Sequence, residues 1–394
     1  MEHNLDRYRQ LQRAAGAIFW LPTSVLFFID RFGLGDALRL QAVYYLAVVA
    51  FEVPSGWFSD RIGRVLTLRL GALWWVLANT LFALSDGLVG IGVAQVLLAM
   101  GFAFASGTDV TLHYDSLEAL GREAEFEQRE SRIRRDHLVV TAAATVTGGS
   151  LALIDLRLPF MAALVAALIQ LAVALRLVEP ERATHTVSAG RDILRVAAYL
   201  KDRVLAWLTL YVLGEVITIH LTSELAAPYL AGVLGEALDE IDKAPLLNGL
   251  LAASVALVAA VAVRGVARSR QRFGLVAVLV GVAAIPAVTL STMALVTSAF
   301  VLPLLVLRSV QSAVVSVLVP ATVAPRVDRN HRATFLSLTS LVGRLGYGSV
   351  LLAVGAVGNI GETLKWAAGM AIVVFVVVTL TGRMVDDQAT SQVE

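Results

Sequence analysis

The stretch GWFSDRIGR, residues 56–64, decides the fold, because it places a compact group of charges abruptly between two long apolar segments. One acidic residue, two arginines and two glycines occur within these nine residues. Such a group is tolerated in the hydrated headgroup layer and is costly in hydrocarbon. We therefore expect a short loop at a membrane surface, between two spanning helices.

The composition of the whole chain agrees with that expectation. Of its 394 residues, 57% are apolar and 16% are charged, and the mean hydropathy is +0.74. Soluble domains average about 25% charged residues, so the chain is predicted to be an integral membrane protein. The formal net charge of +1 indicates no nucleic-acid partner. The absence of cysteine excludes disulfides, thiolate metal sites and cysteine nucleophiles.

Twelve apolar segments come near or above the roughly 18 to 20 residues that a membrane-spanning helix needs. They lack the alternating pattern of barrel strands, so the predicted fold is all-α. The segments cover about 14–35, 40–59, 65–85, 88–115, 137–155, 157–178, 204–228, 245–264, 273–292, 294–318, 333–357 and 363–381.

The distribution of basic residues predicts the orientation. With the N-terminus inside, 25 of the 32 lysines and arginines fall on the inner side and five on the outer side. Since positive charge concentrates in cytoplasmic loops, we expect a multi-pass protein of the cell membrane with both termini cytoplasmic.

The longest polar connection divides the spans into two sets of six. It covers residues 179–203 and contains an amphipathic pattern over 190–203, which predicts an interfacial linker helix. The predicted organisation is an N-terminal six-helix bundle, 1–178, and a C-terminal six-helix bundle, 204–394. Six plus six spans suggest a duplicated transporter half.

The opening stretch resembles the loop motif between helices two and three of the major facilitator superfamily, a large group of secondary transporters. The matching residues are Gly56, Asp60, Arg61, Gly63 and Arg64, and Val65 stands where a further basic residue is usual. Together with twelve spans, inside termini and a central linker, the resemblance covers essentially the whole chain.

The resemblance implies a cytoplasmic gate. Asp60 would face the N-terminus of the helix that starts near residue 333, and Arg64 would join an acid near the end of helix four. Asp109 is the first candidate for that acid and Asp115 the second. Alternatively, Arg61 and Arg64 only enforce orientation and bind lipid phosphates.

Two further comparisons bear on the subfamily. Residues 108–120 and 331–341 resemble stretches of drug and metabolite exporters in this superfamily. The exporter signature of helix five is incomplete, because Thr147-Gly148-Gly149 lacks its proline. Residues 265–274 of the second half form a degenerate version of the loop motif, which has arginines but Ser269 in place of the acid.

Charged residues inside spans are costly and need partners. Glu215 in span seven and Arg308 in span ten lie at nearly equal predicted depth, so we expect them to pair. In the superfamily both helices line the central cavity. Glu215 is therefore the candidate proton site, tuned by Arg308 and by substrate; the alternative is a fixed structural ion pair.

Glu52 and Arg344 are a second candidate pair. Glu52 shares one face of span two with the residues of the loop motif, and Arg344 lies in span eleven. We expect them to close the inner side between the bundles. Alternatively, Glu52 forms hydrogen bonds within its own bundle.

Aromatic residues of spans one and four are candidates for an apolar cavity wall, which suits a lipophilic substrate. Packing and contact with lipid are the alternative roles of such side chains. The residues are Phe19, Trp20, Phe27, Phe28, Phe102 and Phe104.

Alternating-access transport is the leading functional hypothesis, as proton-coupled export of a small amphipathic or lipophilic compound by a monomer in contact with membrane lipids. The alternative is proton-coupled uptake or facilitated transport of a polar metabolite, organic anion or lipid. An enzyme is not expected, because HExxH, GxSxG and cysteine are absent. Without a Gly-Lys dipeptide there is no P-loop, and no cofactor or metal is expected. A receptor or scaffold on the same fold is a further alternative.

Overall fold

All regular structure in the described residues of the computed structural model is helical. The structure describes residues 1–180, 196–238, 243–328 and 331–391, and no β-strand occurs in these ranges. The all-α prediction is therefore confirmed for the described residues.

Seven α-helices lie within residues 1–180. They are α1 (Glu2–Gly16), α2 (Ser24–Arg61), α3 (Arg64–Leu84), α4 (Leu88–Ala105), α5 (Thr108–Glu118), α6 (Phe126–Ala152) and α7 (Leu158–Leu175). Helix α2 is interrupted at Gly33, whose φ of 76° and ψ of 170° are not helical. The interruption lies where the predicted first and second spans meet.

Six α-helices follow between residues 203 and 391. They are α8 (Arg203–Leu238), α9 (Ala244–Phe273), α10 (Leu275–Leu295), α11 (Leu302–Val323), α12 (Arg332–Gly355) and α13 (Ile360–Ser391). The predicted boundary between spans nine and ten is displaced, because the break lies at residues 296–298 rather than at 292–294.

Nine helical segments of the described ranges are long and apolar enough to cross a membrane, and a tenth is added if the bent helix α9 is one span. Two predicted spans, 14–35 and 137–155, are not among them. Charged residues in the first half of α6 account for the second of these. Twelve spans and cytoplasmic termini stay predictions.

The predicted span 14–35 is not one helix. Helix α1 ends at Gly16, and residues 17–23 form turns before α2 begins. Pro22 has no amide hydrogen and so cannot donate a helical hydrogen bond there. The prediction of a continuous first span was therefore wrong.

Helix α6 packs against this broken segment. The carbonyl oxygen of Gly16 accepts a hydrogen bond from Thr141 Oγ1 at 2.9 Å. A Cβ at Gly148 would overlap the carbonyl oxygen of Phe19. Thr141 thus donates a hydrogen bond to a carbonyl at the C-terminal end of α1. Gly148 leaves the space that the irregular backbone around Phe19 occupies.

The chain divides into two compact units. The first unit comprises Met1–Thr186 and Pro245–Ala253, and the second comprises Val187–Ala244 and Ser254–Glu394. The bundle limits given by the sequence stay a prediction. Of the predicted linker helix over 190–203, residues 190–195 lie outside the described residues.

The first unit has an aromatic core. Phe27 and Phe28 are at most 1% exposed, and Phe160 contacts Phe27 and Phe82 with ring centroids 4.7 Å apart in each case. Close packing of this kind leaves no room for a ligand. Phe27 and Phe28 are therefore core residues in this structure and not part of a cavity wall.

Candidate functional site

The loop motif forms a tight turn between α2 and α3. Gly63 has φ of 145° and ψ of 144°, a conformation that is essentially restricted to glycine. A Cβ at this position would lie 3.2 Å from Glu179 Oε2. The glycine of the motif thus serves both the turn and the approach of a carboxylate.

Glu179 caps the N-terminus of α3. Its two carboxylate oxygens accept hydrogen bonds from the backbone amides of Arg64 and Val65, at 2.9 and 2.8 Å. A negative charge is favourable at the positive end of a helix. Sequence reasoning missed this role, although Glu179 directly follows the sixth predicted span.

Arg69 provides the complementary cap on α7. Its guanidinium donates hydrogen bonds to the carbonyl oxygens of Ala174 at 3.2 Å and Leu177 at 2.9 Å. The carbonyl of Ala174 belongs to the negative C-terminal end of α7, and that of Leu177 lies two residues beyond the helix. Two side chains therefore hold this region together. Glu179, which follows α7, binds the N-terminal end of α3, and Arg69 of α3 binds the C-terminal end of α7.

Arg64 forms its ion pair with Asp115 and not with Asp109. The Arg64 Nη1 to Asp115 Oδ2 distance is 2.7 Å, and both side chains are less than 20% exposed. The predicted fourth span is broken at Ser106–Gly107, so Asp109 lies in the first turn of α5 and accepts a hydrogen bond from Gln12. The first-choice acid was wrong, and the second candidate is the residue that Arg64 contacts.

The remaining motif residues are exposed. Arg61 lies over the Trp57 ring at 4.9 Å, and Asp60 is exposed at the end of α2. At Gly56 no described atom lies within 4 Å of where a Cβ would stand. The contact of Asp60 with the helix beginning near residue 333 stays a prediction.

A cavity of about 290 Å³ lies inside the first unit, beside both broken spans. It is lined by α1 and by residues of the turn after it, together with α2 to α7. Polar lining residues include Gln12, Asn79, Asp109, Arg134, His137 and Gln170, and the aromatic ones include Trp20, Tyr44, Trp75 and Phe102. Sequence reasoning missed the amide side chains, although polar residues inside apolar spans were the available signal.

Two of the six predicted wall aromatics, Trp20 and Phe102, line this cavity. Phe104 instead packs on Phe58, with ring centroids 5.7 Å apart. Phe19 lies in the turn segment against Gly148. The wall was thus identified in part, because the sequence does not tell which face of a broken helix points inward.

A chain of polar contacts extends from the cavity through α1. Gln12 Nε2 donates to Asp109 Oδ2 at 2.6 Å and to the Tyr8 hydroxyl at 3.3 Å. The Tyr8 hydroxyl donates to Glu130, whose Oε2 is 2.8 Å from His113 Nδ1. Burial, followed by the charges of Asp109 and Glu130, raises the pKa of Tyr8, so its hydroxyl stays protonated.

The second unit contains buried charges on continuous helices. Glu215 and Glu224 of α8 are each 8% exposed, and Arg308 lies on α11. No ion pair joins Glu215 to Arg308 in the part of the chain that the structure describes, and the carboxylate that acts on Arg308 is Glu224. The predicted pair is therefore not formed in this structure.

The displaced helix boundary explains this difference. Helix α11 begins at Leu302 rather than near residue 294, so Arg308 lies in its second turn and nearer the start of its span than predicted. Glu224 is nine residues beyond Glu215, which is about 13 Å of helix rise. An error of a few residues in the boundary therefore changed the predicted partner.

His220 lies on α8 between Glu215 and Glu224. Its Nδ1 is 2.8 Å from the carbonyl oxygen of Val216, and its ring centroid is 5.1 Å from that of Tyr347. The described residues contain no group of three side chains that could hold a metal ion.

Glu52 of the first unit and Arg344 of the second remain a predicted pair.

Solved structures of transporters share this fold. A mutant of the nucleoside transporter NupG aligns with a TM-score of 0.80 at 13% identity, covering 96% of this chain and 98% of that one. A D-xylose-proton symporter aligns with a TM-score of 0.70 at 14% identity, covering 95% and 97%. A bacterial homologue of the iron transporter ferroportin aligns with a TM-score of 0.69 at 16% identity, covering 97% and 98%.

These similarities show that the chain has the major facilitator superfamily fold, as the loop motif predicted. Neither a protein-family model nor a curated protein matches the sequence. At identities below 20%, the fold is shared and the substrate does not follow from it.

Proposed function

We propose that this chain is a secondary active transporter that works by alternating access and couples protons to the export of a small amphipathic or lipophilic compound. The observation that carries the proposal is a transporter fold shared over 95% or more of the chain with a nucleoside transporter and a proton symporter. Transport would proceed by rocking of two helical bundles about a site near the membrane midplane.

The first unit supplies a suitable substrate surface. Its cavity combines aromatic side chains with a carboxylate, Asp109, and three primary amides, Gln12, Asn79 and Gln170. Apolar walls with a few polar groups are typical of small-molecule sites. This composition favours a compound that has both an apolar body and a polar group.

Glu215 is the proposed proton site. Its side chain is 8% exposed, and no described side chain forms an ion pair with it. Burial of an unpaired carboxylate costs more free energy than burial of the neutral acid. Glu215 is therefore suited to carry a proton while buried and to release it when water reaches the site.

The gate and the membrane arrangement belong to the same proposal. Asp60 and Arg64 with its partner Asp115 would act at the cytoplasmic face, and Glu52 with Arg344 would close the inner side. Both termini would lie in the cytoplasm of a multi-pass, monomeric protein of the cell membrane, surrounded by lipids.

A second candidate function is proton-coupled uptake of a polar metabolite or organic anion. The observation that favours it is Arg308, whose Nη1 is buried and donates no hydrogen bond to any described group. A buried donor on a guanidinium would suit a carboxylate of a substrate.

The test is substrate-driven proton flux in liposomes that contain the purified protein. Lipophilic amines, neutral amphipathic compounds, sugars and organic anions are compared. Glu215→Gln is expected to lower the flux at least tenfold, because it removes the titrating group and keeps the shape. Glu362→Gln is the matched control, since Glu362 is exposed and paired with Lys365.

Three outcomes separate the candidates. Flux with amphipathic compounds that Glu215→Gln abolishes supports the proposal. Flux with organic anions alone supports the second candidate. Full flux in Glu215→Gln contradicts the role of Glu215 as the proton site.

A further inference from the structure

One residue that lines the cavity of the first unit, Asn79, carries a buried acceptor atom without a partner. Asn79 is 3% exposed, and its Nδ2 donates to the carbonyl oxygen of Trp75 at 2.8 Å. Its Oδ1 accepts no hydrogen bond from any described group. A buried acceptor in this state is destabilising, and a bound donor would satisfy it.

The same cavity contains a carboxylate without a counter-ion. Asp109 accepts hydrogen bonds only from neutral donors, Gln12 Nε2 at 2.6 Å and the Val110 amide at 2.7 Å. No described cation forms an ion pair with it, and the group joined to it through Gln12 and Tyr8 is a second carboxylate, Glu130. Arg134 also lines the cavity, but its side chain is exposed.

Three other arginines of the first unit already have carboxylate partners. Arg64 is paired with Asp115, and Arg9 and Arg13 are paired with Asp136. A ligand cation could therefore neutralise Asp109 without displacing any of these ion pairs. The aromatic side chains that line the same cavity could add cation–π attraction.

The volume of the cavity limits the size of its ligand. About 290 Å³ is at the lower end of the roughly 300 to 1,000 Å³ that small-molecule sites occupy. One aromatic ring with a short chain fits this range. The Trp75 ring is held in place, because its Nε1 donates to the carbonyl oxygen of Leu98 at 3.2 Å.

We infer that this cavity binds a small arylalkyl ammonium compound. The ammonium group contacts Asp109, the ring lies among Trp20, Trp75 and Phe102, and a hydroxyl on the ring donates to Asn79 Oδ1. The inference rests on the proposed function in naming the class of compound that is transported. Binding itself can be measured without transport.

The experiment is isothermal titration calorimetry of the purified protein in lipid nanodiscs. Tyramine carries the ammonium and the hydroxyl, phenethylamine lacks the hydroxyl, and 3-(4-hydroxyphenyl)propionate replaces the cation by an anion. Tyramine is expected to bind most tightly and the anion at least tenfold more weakly. Binding of the anion as tightly as tyramine would overturn the inference and indicate Arg134 as the anchor.

Two variants identify the contacts. Asp109→Asn is expected to weaken tyramine binding about 10- to 100-fold, the range for a hydrogen bond to a charged group. Asn79→Leu is expected to weaken tyramine binding about 3- to 10-fold and to leave phenethylamine within twofold. Asp30→Asn, at an exposed carboxylate outside the cavity, is the control for the loss of an acid.

Folding and transport are separated from binding. The thermal unfolding midpoint of each variant first shows whether it is folded. The ratio of tyramine to phenethylamine affinity is measured in the unsubstituted protein and so does not depend on the folding of any variant. Tyramine binding without any proton flux would sustain this inference while the proposed function fails. Flux with other compounds but no tyramine binding would overturn this inference alone.

Discussion

The two units place polar groups at membrane depth in different ways. In the first unit, the chain breaks at residues 17–23 and at Ser106–Gly107, and a cavity lies beside the exposed helix ends. In the second unit, α8 continues from Arg203 to Leu238 and carries its polarity on side chains such as Glu215. A broken helix offers backbone groups and a turn that can hold a ligand, whereas a continuous helix offers only side chains.

The turns after the second and eighth predicted spans show the same contrast. Gly63 and Gly274 both have positive φ, 145° and 81°. At Gly63 the turn is crowded by Glu179, while no described atom lies within 4 Å of a Cβ at Gly274. In the first unit a carboxylate packs against the turn, whereas the turn at Gly274 shares only the positive φ.

The largest expected effect comes from filling the space that the first break occupies. Gly148→Ala would place a Cβ into the carbonyl group of Phe19. Because backbone must move, we expect a loss of about 3 kcal/mol in the free energy of unfolding. The thermal unfolding midpoint in detergent measures it.

The matched control is Gly281→Ala in α10, where a Cβ meets no described atom within 4 Å. A helical glycine replaced by alanine there should stabilise the protein by up to about 1 kcal/mol. Equal midpoints for the two variants would show that the broken segment does not depend on Gly148.

A smaller effect compares the two turns. Gly63→Ala should cost about 2 to 3 kcal/mol, because backbone strain is joined by crowding against Glu179. Gly274→Ala should cost about 1 to 2 kcal/mol from strain alone. Both are measured as unfolding midpoints under the same conditions.

Both glycine substitutions are then repeated in a protein that carries Glu179→Ala. With the carboxylate removed, the penalties of the two glycine substitutions should become equal. A difference that persists without Glu179 would show that the crowding is not its cause.

The smallest effect concerns the attachment of α1 to α6. Hydrogen bonds from Arg9, and then from Arg13, lower the pKa of Asp136. A carboxyl with a lowered pKa stabilises the folded state above its unfolded value of about 3.9, and this contribution is lost as pH falls through the folded value. Helix α1 should therefore stay attached down to about pH 4 and loosen below it.

A single spin label can follow this change, since the chain has no cysteine. Gln10→Cys is exposed on α1, and the mobility of its label should rise at low pH. In Asp136→Asn the label should already be more mobile at pH 7 and change less on acidification. The same acid response in both proteins would assign the change to another group.

Much of the fold could be predicted from the sequence. The apolar segments and the loop motif indicated an all-helical protein of this superfamily fold, because the membrane imposes its length and polarity on each segment locally. The breaks at 17–23 and 106–107 could not be read in the same way. Proline and glycine, the residue types at positions 22 and 107, also occur in continuous membrane helices, where neighbours satisfy the freed backbone groups.

The candidate site was predicted less completely. Asp109, Trp20 and Phe102 line one cavity, but the sequence assigned Asp109 to Arg64 and paired Glu215 with Arg308. Both errors came from the ends of helices. A break or a shift of a few residues turns a side chain to another face and moves it by about 1.5 Å per residue.

The sequence by itself determined the helical fold, the turn at Gly63 and the presence of costly buried charges. These properties depend on single segments and on their free energy of transfer into a bilayer. Only the tertiary structure decided that Asp115 meets Arg64, that Glu179 caps α3 and that Asp109 lies in a cavity. Such contacts join residues distant in the chain, and they depend on helix ends that neighbouring helices fix by packing and hydrogen bonding.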